Sequence, residues 1–302
     1  IVTRFVVRFG IIMTSEKTGQ KLSGILFFVA AILLISIVDT ICKIFTTELH
    51  SLQLVWGYFL GINLMLWIFF YCRRERITNL IKTDRIVVQL MRPAFLAASI
   101  TSLFLGLTYL PIAEATTIGF TAPLFITALS GPILREKVGI HRWLAVVIGL
   151  IGVLVIVRPG GGLWHWASLM PFFGAIFFAV FQIITRLLSK TEKTNTTLFY
   201  TGLGGFFWTS IIVPFVWVTP SILHWIVFLL TGAMGAVAHL CMISAFNRAE
   251  ASLLAPFNYT KLLWVSVLGF LIFGDVPSFN MWVGATIIVA AGIYILYRER
   301  NT

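Results

Sequence analysis

Lys261 stands in the middle of an otherwise apolar run, 251–273, with Asn258, Tyr259 and Trp264 close by in the chain. An ammonium there is too deep for its own stem to carry it easily to either end of the run. An ionisable group so placed costs a few kcal/mol or more unless something compensates it. Two compensations are open, the carboxylate or phosphate of a bound small molecule or an internal acid such as Asp39; otherwise the amine stays neutral. Asp39 and Lys43 lie four residues apart in a second apolar run, 22–44, with the acid on the N-terminal side, as an intrahelical pair requires. A carboxylate at Asp39 either fixes its helix in a structural ion pair or takes up and releases a proton. Gln182 and His239 are further polar groups deep in apolar runs, each as suited to bonding a neighbouring helix as to bonding a ligand. Rings at Tyr259 and Trp264, beside an ammonium and the Asn258 amide, would stack on a planar or cationic group.

Apolar runs must position these side chains. Hydrophobic residues make up 59% of the 302-residue chain and charged residues 11%, with a mean hydropathy of +0.98, outside the range of soluble domains. Runs bounded by charges, Gly, Pro and Asn predict ten membrane-spanning helices: 22–44, 52–71, 92–110, 113–133, 141–157, 164–187, 197–217, 222–246, 251–273 and 279–297. These are called spans 1 to 10 below. Pro123 and Pro256 fall inside spans 4 and 9, where each frees a backbone carbonyl, and they are candidate hinges. Glu114 and Glu250 precede the same two spans and are expected to cap the helix N-termini. Gly57 and Gly61 form a small-xxx-small pair suited to a helix contact.

Assigning alternate loops to opposite faces places 19 of the 22 Lys and Arg residues on one side, Arg73 to Arg92 among them. Arg158 alone falls on the other side, and Lys43 and Lys261 fall within spans. By the positive-inside rule both termini are cytoplasmic and the span count is even. Topology thus explains the net charge of +11, so the basic residues do not call for a nucleic-acid partner. Residues 1–21 read as a cytoplasmic N-terminal segment without a signal-peptide cleavage pattern, in which Met13 reads as the start and residues 1–12 as an upstream extension. Cys42, Cys72 and Cys241 are far apart and read as reduced packing residues, with no metal-ligand spacing.

The two halves of the chain echo each other. Ala113-Glu114-Ala115-Thr116 before span 4 is matched by Ala249-Glu250-Ala251-Ser252 before span 9; Asp39 and Lys43 are matched by Gln182 and Arg186; Glu136 is matched by Asp275, and Gly152 by Gly292. Offsets of 136 to 143 residues align one half, 22–157, with the other, 158–302. Five spans is an odd number, so the second half crosses the membrane in the opposite sense. The expected fold is therefore all-α and integral to the membrane, with ten transmembrane helices in two inverted five-helix repeats. Inverted repeats meeting at a mid-membrane site are a common architecture of secondary transporters.

Met91-Arg92, Leu110-Pro111-Ile112-Ala113-Glu114-Ala115, Ala122-Pro123-Leu124, Arg135-Glu136-Lys137, Gly149 and Arg158-Pro159 occur in that order in the first half. Ala249-Glu250-Ala251, Ala255-Pro256-Phe257-Asn258-Tyr259 and Phe273-Gly274-Asp275 follow in the second. In order and spacing the chain resembles the EamA-type members of the drug/metabolite transporter superfamily from about Lys21 to its end. The resemblance implies a ten-helix carrier of the inner membrane with a central cavity lined mainly by spans 1, 3, 4, 6, 8 and 9. It implies a small polar substrate, with S-adenosylmethionine, amino acids and riboflavin as candidates, and no cofactor. The sequence departs from its relatives at Tyr58, where they often carry Arg, and at Lys261, where they often carry Gln or Glu.

A membrane-embedded enzyme is the main alternative, and an uncoupled facilitator or channel the second. Five scattered histidines, His50, His141, His165, His224 and His239, offer no paired metal ligands, and no phosphate-binding glycine loop is present. No repeated ring of acids or carbonyls marks a channel filter. The site residues expected are thus Lys261, Asn258, Tyr259, Trp264, Gln182 and His239 for substrate and Asp39 for a proton, without catalytic or metal-ligating groups. Nothing in the sequence speaks to oligomeric state.

Overall fold

In hydrocarbon a backbone that cannot bond to water must bond to itself, and long apolar runs therefore become helices. The computed structural model describes residues 2–46, 48–75, 77–107, 109, 115, 118–157, 166–273 and 279–300, of which 2–18 are described by backbone alone. Its helices are α1 (Val2–Ile44), α2 (Ser51–Cys72), α3 (Ile77–Ile81), α4 (Ile86–Leu107), α5 (Ala122–Leu134), α6 (Ile140–Val157), α7 (Leu169–Ser189), α8 (Thr194–Ile212), α9 (Ile222–Arg248), α10 (Ala251–Leu254), α11 (Thr260–Phe273) and α12 (Phe279–Arg300). Short 3₁₀ turns occupy Trp166–Ser168, Val213–Val216 and Ala255–Tyr259. Among the described residues, seven helical segments are long and apolar enough to cross a membrane; three shorter apolar helices, Ala122–Leu134, Ile140–Val155 and Phe279–Ile295, join them. These ten occupy the ten expected positions.

Local chemistry sets several boundaries. Ser221 caps α9 in a capping box with His224, each reaching the other's backbone N–H. The His50 ring accepts from Leu52 N–H at the start of α2. Arg135 closes α5 in a left-handed conformation with φ 55°. Span 9 runs through α10, a 3₁₀ turn and α11. Pro256 stands in the first turn of that 3₁₀ segment, where its missing N–H forgoes a helical bond. Pro123 differs from expectation. It occupies the first turn of α5, a position at which no helical hydrogen bond is lost, because α5 begins at Ala122. Span 1 also differs, since α1 begins at Val2, although its apolar part is Gly19–Cys42.

Packing repeats across the two halves. α1 lies on α9 as α4 lies on α7; α2 lies on α9 as α8 lies on α4; α5 meets α7 as α11 meets α1; and α6 pairs with α12. Exchanging spans 1–5 with spans 6–10 maps each of these pairings onto another or onto itself, which is the contact pattern of a pseudo-two-fold axis. Outward faces carry Leu26, Ile68, Val87, Phe215, Ile222 and Leu271, all exposed apolar side chains suited to lipid.

Where α2 crosses α9 the backbones touch. A Cβ on Gly61 would overlap the Phe228 carbonyl, and one on Gly232 would overlap the Gly61 backbone. The small-residue pair expected in α2 is thus a helix contact joining the two halves, with Gly57 facing the Phe228 ring.

Candidate functional site

Side chains from both halves meet along span 9. Lys261, in α11, places its Nζ 2.6 Å from Oδ2 of Asp39 in α1, and both side chains remain more than a third exposed. Of the two compensations open to Lys261, the internal acid is the one observed. The Lys43 side chain lies outside the described residues. Three residues before Lys261, on the same side of the span, buried Asn258 accepts a hydrogen bond from Gln182 Nε2 at 2.9 Å and donates to the Ala255 carbonyl at 3.1 Å. Asp39 and Gln182 occupy matched positions in spans 1 and 6, and both reach span 9. His239 of α9 is buried, with Nε2 3.0 Å from the Tyr58 hydroxyl and its ring edge-on to Phe181. Its Nδ1 has no partner among the described residues.

Tyr259 is not brought together with these groups in the way its sequence proximity suggests. The Tyr259 ring is fully buried in a cluster with Val153 and Ile288, and it fills the space left by Gly149 of α6. It therefore faces α6 and α12, and among the described residues its hydroxyl has no partner. Trp264 packs against the central core, and among the described residues its Nε1 has no partner.

At the end of the bundle that carries the basic loops, a second polar cluster ties the halves together. Glu136, at the end of α5, is buried and accepts from Arg186 Nε of α7 at 3.0 Å. It also accepts from the backbone N–H of Ala251 and Ser252 at 3.2 and 3.3 Å and from the Ser252 hydroxyl at 3.2 Å. Span 9 is thus capped by Glu136 and not by Glu250, whose side chain makes no cap and pairs instead with Arg142. A carboxylate at a helix N-terminus meets unsatisfied N–H groups, and which carboxylate supplies it is decided here by tertiary packing. Glu114 and Asp275 lie outside the described residues.

Arg92 is the residue that sequence reasoning placed wrongly. Counted with the basic loops, it is in fact fully buried, because α4 starts six residues earlier, at Ile86. Its guanidinium donates to Thr185 Oγ1 at 2.7 Å, to Thr201 Oγ1 at 2.6 Å and to the Thr197 carbonyl at 3.4 Å. It lies 4.8 Å from the centre of the Phe181 ring. The apolar stretch Ile86–Met91, broken only by Gln89, was the available signal that the helix extends in front of Arg92.

The opposite end is closed by polar and aromatic groups. Gln53 exchanges two hydrogen bonds with the Val218 backbone, at 2.5 and 2.9 Å. His224 Nε2 lies 2.9 Å from Glu48, and Trp56 is ringed by Trp217, Trp225, Phe206 and Phe228.

The pattern that defines the EamA-like transporter family matches this chain twice, over residues 22–158 and 165–298. The chain is 29% identical over 290 residues to the S-adenosylmethionine uptake transporter of Rickettsia prowazekii (strain Madrid E), covering 95% of this chain and 97% of that protein. It is 33% identical over 248 residues to the riboflavin transporter of Vibrio cholerae serotype O1, covering 76% and 80%. A crystal structure only 16% identical in sequence superposes with a TM-score of 0.77 over 94% of this chain and 99% of its own, which establishes the shared fold. Its relatives are named for transport and not for catalysis; the chain is a multi-pass inner-membrane transporter of small metabolites and belongs to the EamA-like transporter family.

Proposed function

We propose that the chain is a secondary-active carrier that moves a polar organic metabolite, S-adenosylmethionine first among the candidates, by alternating access. The observation that carries this reading is the meeting of spans from both halves in polar contacts along span 9, Asp39 with Lys261 and Gln182 with Asn258. Two matched halves that share one site can expose it to each face in turn by exchanging conformations. The nearly full-length match to an S-adenosylmethionine uptake transporter supports that substrate. Riboflavin is the second reading, supported by the higher identity of the Vibrio relative.

In this reading residues 22–157 and 158–302 are inverted repeats, residues 1–21 are a cytoplasmic segment, and the basic end of the bundle faces the cytoplasm. Gln182, Asn258, His239, Trp264 and Lys261 contact substrate; Tyr259 supports span 9 from behind. The break at Pro256 serves as the hinge of span 9, and Pro123 marks the matching place in span 4. Asp39 is the first candidate for proton coupling, since its carboxylate is paired with the Lys261 ammonium and partly open to water.

The test is uptake into liposomes of labelled S-adenosylmethionine, riboflavin and aliphatic and aromatic amino acids, with and without a pH gradient. Saturable, competable uptake of one compound supports a carrier and names its class, whereas linear uptake that ignores competitors would point to a channel. If Asp39→Asn leaves gradient-driven uptake intact, Asp39 does not couple the proton.

A further inference from the structure

Charge within the bundle is matched almost everywhere by opposite charge. Lys261 has Asp39, Arg186 has Glu136 and Arg142 has Glu250. Arg92 is the exception: it is fully buried, and among the described residues no carboxylate pairs with it. Two threonine hydroxyls, one backbone carbonyl and the Phe181 ring solvate the guanidinium in part, yet among the described residues Nη2 has no partner. Gln89, one turn before it in α4, donates to Thr197 Oγ1 at 3.1 Å, and among the described residues its Oε1 has no donor.

A buried, unpaired cation is among the costliest groups a helical bundle can hold, and hydroxyl groups offset only part of that cost. Nε and Nη1 are engaged by these groups, and Nη2 keeps two N–H donors that a carboxylate can accept in charge-assisted hydrogen bonds. One ring separates Arg92 from the polar middle, because Phe181 has the guanidinium over its face and stands T-shaped to the His239 ring, with centroids 6.2 Å apart.

We infer that Arg92 recognises the carboxylate of the transported metabolite, and that the substrate class is therefore carboxylate-bearing, as amino acids and S-adenosylmethionine are and riboflavin is not. The threonines of α7 and α8 hold the guanidinium in place with Nη2 left to donate, and Gln89 supplies an acceptor beside it for the substrate's ammonium group. Lys261, the other cation expected to bind an anionic group, is already neutralised by Asp39. This assignment rests on the reading of the chain as a carrier of polar metabolites.

The experiment compares S-adenosylmethionine with its decarboxylated analogue in liposomes containing the wild type, Arg92→Lys or Arg92→Gln. Folding is checked by size exclusion and thermal unfolding. The wild type should favour the carboxylated compound by about ten- to a hundredfold in KM, the scale of one charge-assisted contact. Arg92→Gln should lose that preference by raising KM for the carboxylated compound alone, and Arg92→Lys should keep part of it. If Arg92→Gln does not fold, competition of wild-type uptake by S-adenosylmethionine and by its methyl ester reads the same preference. Equal transport of both compounds by the wild type, or an unchanged preference in a folded Arg92→Gln, would overturn the assignment while leaving the carrier intact. Uptake of neither compound would remove the reading on which it rests. Thermal stabilisation by phosphatidylglycerol that Arg92→Gln abolishes, without any carboxylate preference, would assign the guanidinium to a lipid headgroup and overturn the substrate role.

Discussion

Asp39 and Lys261 face each other at 2.6 Å across the boundary between the two halves, one from span 1 and the other from span 9. Both side chains are more than a third exposed, so the pair is screened and its worth is that of a partly solvated bridge, about 0.5–1 kcal/mol. A double-mutant cycle with Asp39→Asn and Lys261→Gln, read by thermal unfolding in detergent, should return a coupling of that size. Strict additivity would mean that the two groups do not meet in the purified protein.

Removing one partner from a buried pair leaves the other charge stranded, and the loss is correspondingly larger. Glu136→Gln should destabilise the protein by about 3–5 kcal/mol, since its side chain is 3% exposed and serves Arg186 and the cap of α10 together. Glu250→Gln, at a site 35% exposed, should cost less than about 1 kcal/mol. Thermal unfolding of the two variants side by side decides the matter; a larger loss for Glu250 would show that the cap had been attributed to the wrong carboxylate.

Gly61→Ala and Gly232→Ala each add a methyl group where backbone atoms of the partner helix already stand. Each should cost about 1–3 kcal/mol, the scale of overpacking. Gly139→Ala, where nothing lies within 4 Å of the added Cβ, should stay within about 0.5 kcal/mol of the wild type.

Cys72 is exposed at the basic end of α2 and provides a native probe of orientation. With Cys42 and Cys241 replaced by Ala, a membrane-impermeant maleimide should leave Cys72 unlabelled in intact cells and label it after lysis. Thr219→Cys, at the opposite end and in a background that also lacks Cys72, should label in intact cells. The reverse pattern would invert the topology derived from the basic loops.

Helix positions were legible because a membrane span is written in length and hydropathy, which a single chain displays without its neighbours. The partners of those helices were not. Glu250 sits where a local cap belongs, but Glu136 supplies it from 115 residues away in sequence, a distance over which no local pattern speaks. Tyr259 was grouped with Lys261 because the two are adjacent in the chain; residues two apart on a helix face apart, and the 3₁₀ turn at Ala255–Tyr259 rotates the register further. Arg92 was lost to a boundary of six residues, enough to move a charge from a loop into the core. For Lys261 both readings were visible beforehand, and only the approach of α1 to α11 could choose between them.

The glycine contact between α2 and α9 has a bearing on motion. Gly61 stands ten residues from the start of α2 and eleven from its end, about 15 Å from each at 1.5 Å per residue, and so near mid-depth. When one body rocks against another, displacement grows with distance from the fulcrum and vanishes at it. Backbones that touch with no side chain between them make a bearing that can roll but cannot be compressed, and here it lies where a rocking bundle travels least. A contact too tight to admit one methyl group is tolerable in a moving machine only at such a place.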